Sequence, residues 1–220
     1  LDHLSRETQG WFQPMRTTVR ALLCFGWMSG LRPSTYVVRK IDGVPVADVL
    51  TWRAISFRTD RISVFIPKSK TDYFRQGKVV NIRDTGTILD SRRWLNEMRS
   101  MQRSMGYGQQ GDPVFLHPIE RKPISYPTFT NLLRRAVQQA GVKPPLNQKI
   151  SGYSLRRGLI TSGYLAGLPI KVVMGLGGHT SDAWKHYVSI SEDQKRNYHI
   201  ELYRNINRVH VFGYLGAERA

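Results

Sequence analysis

The sequence is poor in cysteine, in acid and in long apolar runs. A single cysteine among 220 residues rules out a disulfide within the chain. Cys24 lies in the run Ala21-Leu22-Leu23-Cys24-Phe25-Gly26-Trp27 and reads as a small buried hydrophobe, so nothing signals an oxidising compartment. No window approaches the roughly 18 apolar residues of a membrane span. The best stretch, Val19 to Trp27, is too short and follows Arg16 and Arg20. The six histidines are scattered, and no carboxylate cluster, H-E-x-x-H motif or Gly-rich phosphate loop occurs. The reading therefore calls for no metal and no other cofactor.

What the chain has in excess is positive charge. Lys and Arg number 33 against 16 acidic residues, a formal +17 spread along the whole length. A folded domain with that balance meets a polyanion, and nucleic acid is the expected partner. A basic ribosomal surface is the plainer alternative, and no RNA-recognition motif supports it. An anionic membrane surface fits poorly, because no basic amphipathic helix separates from the rest.

Hydrophobic content of 40% suffices for a packed core in one domain. Residues 1–13 read as a lead-in. From Pro14 to Gly30, Val19, Leu22, Leu23, Gly26 and Trp27 recur at helical spacing, as one buried stripe. Gly30 stands where a C-terminal cap belongs, and Pro33-Ser34 can open another turn. Residues 49–57 are β-rich, and Ile62, Val64 and Ile66 alternate with Ser63, Phe65 and Pro67. Val79, Val80 and Ile82 answer them after a basic turn from Lys68 to Lys78, which predicts a three-stranded antiparallel sheet. Helices follow from Gly86 to Met105, Tyr126 to Ala140, 153–166 and 169–176. Another is expected near Asp182, carrying Tyr187, and a last one from Ser191 to Asn205. The fold class is α+β: a mostly helical domain with a small sheet carrying the lysine hairpin.

Several residues could together handle a phosphate. Arg32 follows a helix end at Ser29-Gly30-Leu31, and Arg156 lies early in a helix after Ser151-Gly152. Two guanidinium groups on separate rigid elements can grip one phosphate and stabilise a pentacoordinate phosphorane. Lys70 sits in the hairpin turn and could protonate a leaving oxygen, with Lys68 and Lys78 as alternatives. His179, in Gly178-His179-Thr180, could donate to a non-bridging oxygen. Tyr187 follows on a polar stretch with Trp184, Lys185 and His186; cations around it would stabilise a nucleophilic phenolate. Tyr198 and Tyr203 fit an apolar helix face better.

These motifs, in this order, resemble the catalytic domain of the tyrosine recombinases, the phage-integrase family. Ser29-Gly30-Leu31-Arg32 resembles the first arginine motif, and Lys70 the catalytic lysine. Ser151-Gly152-Tyr153-Ser154-Leu155-Arg156 resembles the second box, in its Cre-like form. Gly178-His179 resembles the third box, and Tyr187 the nucleophile. The wording around Arg156-Arg157-Gly158 is also similar to the crypton branch of eukaryotic mobile elements. The likeness spans about residues 14–205.

The resemblance implies an enzyme that cuts and rejoins double-stranded DNA through a 3′-phosphotyrosyl intermediate. Arg32, Arg156 and His179 would stabilise the transition state, Lys70 would protonate the leaving 5′-oxygen, and Lys68, Arg75, Lys78, Arg157, Lys185 and His186 would contact DNA. It also implies an N-terminal DNA-clamp domain before residue 14, a tetramer on two DNA sites, and a tail, 206–220, docking in trans. The location expected is on DNA: nuclear for a eukaryotic element, in the cytoplasm or nucleoid for a bacterial or phage one, and not secreted. A type IB-like topoisomerase would use the same residues, and a non-catalytic DNA-binding descendant would keep the charge alone. Two positions depart from the family pattern. Tyr153 stands in place of the usual histidine, which leaves the proton of Tyr187 to His186, to water or to no general base. Thr35 stands in place of an acid three residues after Arg32.

Overall fold

A computed structural model describes residues 12–41, 44–45, 49–67, 76–143 and 149–176. Helix α1 spans Gln13–Ser29, with Pro14 in its first turn, where a missing N–H removes no helical hydrogen bond. Gly30 ends it in the left-handed conformation (φ 59°, ψ 11°), its N–H donating to the Trp27 carbonyl at 3.3 Å. More than one stripe of α1 is buried: Thr17, Thr18, Ala21 and Cys24 are covered along with Val19, Leu22 and Phe25. The helix is therefore the centre of the domain and touches the sheet and two later helices.

A 3₁₀ turn at Pro33–Thr35 follows. A small antiparallel pair, β1 (Lys40–Ile41) and β2 (Val44–Pro45), was not foreseen from the sequence. The β-rich stretch before Phe57 also resolves differently: Trp52–Ala54 is a 3₁₀ turn, and only Ile55–Phe57 forms strand β3. The reason is tertiary. Trp52 is fully buried, and its indole N–H donates to Gln102 Oε1 at 2.8 Å. Strands β4 (Arg61–Ile66) and β5 (Lys78–Arg83) complete an antiparallel sheet in the order β3-β4-β5. Ile62, Val64 and Ile66 point into the core, as the alternation predicts. Lys78 is not in the turn but opens β5, opposite Ile66.

Helix α2 (Ser91–Ser104) begins later than Gly86, where the Asp90 carboxylate accepts from the Arg93 N–H at 3.0 Å. Its Trp94, Leu95 and Met98 are buried, and Gln102 donates to the Val114 carbonyl at 2.9 Å. Helix α3 (Tyr126–Gln139) is capped by Ser125, and buries Phe129, Leu133 and Ala136. Helices α4 (Tyr153–Leu165) and α5 (Ile170–Leu176) follow. Phe25, Tyr36, Phe115 and Phe129 form an aromatic cluster with ring centroids 5.5–6.0 Å apart, joining α1, the segment after it and α3. The α+β architecture matches the sequence reading. The expected helices carrying Tyr187 and following Ser191 lie outside the described residues.

Candidate phosphate-handling site

The site is built around the end of α1. Because Gly30 turns left-handed, the chain leaves the helix sharply. Pro33 then holds Arg32 extended at φ −67°, ψ 140°, since a residue before proline is pushed away from helical angles. Ser29 Oγ accepts from the Leu31 N–H at 3.2 Å and steadies the corner. The Arg32 side chain is only partly buried.

Arg156 comes from the first turn of α4 and is 4% exposed. Its Nη1 donates to the Gly30 carbonyl at 2.7 Å. A buried guanidinium is costly unless its protons are taken, and a backbone carbonyl takes one here without neutralising the charge. This bond brings the second arginine to a point two residues from the first in the chain. Close packing makes the approach possible. A Cβ on Gly26 of α1 would lie 2.7 Å from Leu155 Cδ1 and 2.8 Å from Tyr36 Oη, so a larger residue where α4 meets α1 would have to displace one of these side chains.

Lys78 belongs to the same electrostatic neighbourhood. Burial holds its ammonium below the usual lysine range, and Arg156 and Arg32 add to the effect in that order. Tyr36 is 1% exposed, and among the described residues its Oη has no hydrogen-bond partner. Burial pushes this phenol well above the ordinary tyrosine range; Tyr126 and Tyr153 add to the rise and Arg156 opposes it. Thr35, at the position of the absent acid, brings no charge to Arg32.

Tyr153 opens α4 and is exposed, as is Arg157. Tyr153 lines a cleft of about 460 Å³ together with Ser34, Arg39, Ser125, Tyr126 and Pro127. Sequence reasoning did not single out Arg39, Tyr36 or the Gly30 carbonyl. Only the spacing of Tyr36, one helical turn after Arg32, could have signalled one of them. Lys68, Lys70, Arg75, His179, Lys185, His186 and Tyr187 lie outside the described residues. Strand β4 ends at Ile66, before Lys70, and α5 ends at Leu176, before His179. Among the described residues, no group of three or more His, Cys, Asp or Glu could hold a metal ion, and no helix is long and apolar enough to cross a membrane.

Similar folds are found among solved recombinases. XerA recombinase superposes with a TM-score of 0.63 at 15% identity, over 91% of this chain and 60% of that one. XerH recombinase bound to a palindromic difH substrate gives 0.63 at 11% identity, over 90% and 49% of the two chains. A lambda integrase dimer bound to a COC′ core site gives 0.51 at 16% identity, over 85% and 56%. This chain thus spans roughly half to three-fifths of the length of the structures it matches. No curated protein sequence matches it. The sequence profile of the phage integrase family matches residues 7–193, which takes in both arginine motifs and everything between them, and on that match the chain belongs to the phage integrase family, the tyrosine recombinases.

Proposed function

We propose that this chain is a site-specific DNA strand transferase that works through a covalent phosphotyrosine. Tyr187 Oη attacks a backbone phosphorus, the new P–O bond forms on the tyrosine, and the bond to O5′ breaks. Lys70 gives a proton to that oxygen, and the phenol proton is lost to His186 or to water. Arg32, Arg156 and His179 hold the non-bridging oxygens as charge builds on them. Attack of a 5′-hydroxyl from another strand reverses the step and exchanges the strands. Lys68, Arg75, Lys78, Arg157 and Lys185 contact the backbone around the scissile phosphate. The assembly expected is a tetramer on two DNA sites.

The observation that carries this reading is the bond from Arg156 to Gly30. It joins two motifs 126 residues apart and puts both arginines at one corner. Cations of fixed geometry suit the transition state of phosphoryl transfer. The test uses nicked duplexes of randomised sequence as suicide substrates, in EDTA. The wild-type chain should yield a protein–DNA adduct stable to denaturing electrophoresis, and Tyr187→Phe should yield none. An adduct that persists in Tyr187→Phe would show that the nucleophile lies elsewhere.

A further inference from the structure

We propose that the cleft between the Ser34–Arg39 segment and the starts of α3 and α4 binds a second phosphate of the same DNA strand, next to the scissile one. The proposal rests on the reading above and adds to it a binding site of its own. The cleft has a volume of about 460 Å³ and is lined by Ser34, Arg39, Ser125, Tyr126, Pro127 and Tyr153. Among the described residues its polar groups are one guanidinium and four hydroxyls, with no carboxylate. In a chain of +17 that composition selects an anion.

The donors are available. Ser125 Oγ is committed to capping α3, where it meets Thr128. Among the described residues, no hydrogen bond engages the Arg39 guanidinium or the hydroxyls of Ser34, Tyr126 and Tyr153. Arg39 itself is exposed.

The walls are held rigidly. The Val38 N–H donates to the Ile124 carbonyl at 2.9 Å and the Tyr126 N–H to the Val38 carbonyl at 2.8 Å, which pins the residue before Arg39 to the start of α3. A Cβ on Gly152 would lie 2.8 Å from Tyr126, 2.9 Å from Phe129 and 3.1 Å from Pro33, so the start of α4 is packed against both other walls. Such a site costs little reorganisation on binding.

The position relative to the arginines sets the ligand. Ser34 stands two residues after Arg32, and Tyr153 stands one helical turn before Arg156. Three residues of helix rise about 4.5 Å. Cleft and arginine pair are therefore joined through the chain on both sides, from Arg32 to Ser34 and from Tyr153 to Arg156, so a strand gripped at one runs on to the other.

The experiment measures binding of the full chain to a short fluorescent duplex of random sequence across a salt series. Each lost phosphate contact lowers the slope of log K against log salt by about 0.9. Arg39→Ala should lower the slope by that amount. Its affinity ratio between 50 mM and 200 mM salt should then be smaller than wild type by about 3.5-fold. Arg39→Lys should restore the slope, and Arg103→Ala, on the last turn of α2, measures the effect of removing any surface charge. A slope for Arg39→Ala equal to that of Arg103→Ala overturns the proposal. A loss of affinity at unchanged slope overturns it too, because a base and not a phosphate would then fill the cleft. A wild-type chain without salt-dependent DNA binding would defeat the strand-transferase reading itself.

Discussion

Replacing Gly30 by alanine tests how the arginine corner is built. Two costs are expected. A non-glycine residue in the left-handed region loses about 1–2 kcal/mol. The added Cβ would also collide with the Leu176 carbonyl at the end of α5, a backbone atom that cannot swing aside. Forcing an extra carbon into a packed site costs typically about 1–3 kcal/mol. The sum is about 2–5 kcal/mol, reduced by the lower entropy that alanine gives the unfolded chain. Gly86→Ala separates the two costs. Gly86 has a similar φ of 64°, and nothing lies within 4 Å of its Cβ position. It carries the backbone cost and the same unfolded-state gain, so both cancel in the difference. The remaining gap between the variants is the packing cost, about 1–3 kcal/mol. In a chain of this size it separates their melting temperatures by roughly 2–12 °C. Thermal melts with urea midpoints as a cross-check would read it. Equal stability of Gly30→Ala and Gly86→Ala would refute the claim that Leu176 crowds the corner.

Two further expectations concern groups near the arginines. Tyr36→Phe removes a buried hydroxyl without a partner among the described residues, a group that costs about 1–3 kcal/mol to leave unsatisfied. The variant should melt at least as high as wild type, up to roughly 12 °C above it, and a lower melting point would show that the hydroxyl is engaged after all. Lys78 has its ammonium pKa lowered in the fold, so between the folded and unfolded values the unfolded chain binds more protons and stability rises with pH. Lys78→Met should therefore be more stable than wild type at neutral pH, with the gap closing as pH rises through the folded pKa towards the unfolded value near ~10.4. A gap that stays constant from neutral to alkaline pH would mean that packing and not charge sets it.

The parts of this architecture that repeat locally were legible in the sequence. The glycine after Ser29 marks the end of α1, and the alternation of Ile62, Val64 and Ile66 marks a half-buried strand. The parts made by distant contacts were not. Trp52 lies in a β-rich stretch yet forms a 3₁₀ turn, because Gln102, fifty residues on, takes its indole proton. Arg39 carries no local signal at all. A single parallel bridge from Val38 to Ser125 places it beside α3. The two arginines were legible only as motifs. That they share a corner depends on the Gly30 carbonyl, a backbone atom that no side-chain pattern encodes.

That carbonyl also bears on how a chain with Thr35 in place of an acid can hold its arginines. A carboxylate beside Arg32 or Arg156 would orient the guanidinium but would also cancel part of its field at the phosphate. The Gly30 carbonyl orients Arg156 without cancelling its charge. Part of the repulsion that results falls on the protein itself: burial lowers the pKa of Lys78 most, and Arg156 and Arg32 add to it. In the proposed reaction a bound phosphate relieves it, and relieves it most when a pentacoordinate intermediate carries an additional negative charge. Interactions that strengthen as charge develops are the ones that lower a barrier rather than merely tighten binding. The threonine at position 35 therefore suits the proposed function, in which a backbone carbonyl orients Arg156 and the DNA phosphate supplies the negative charge.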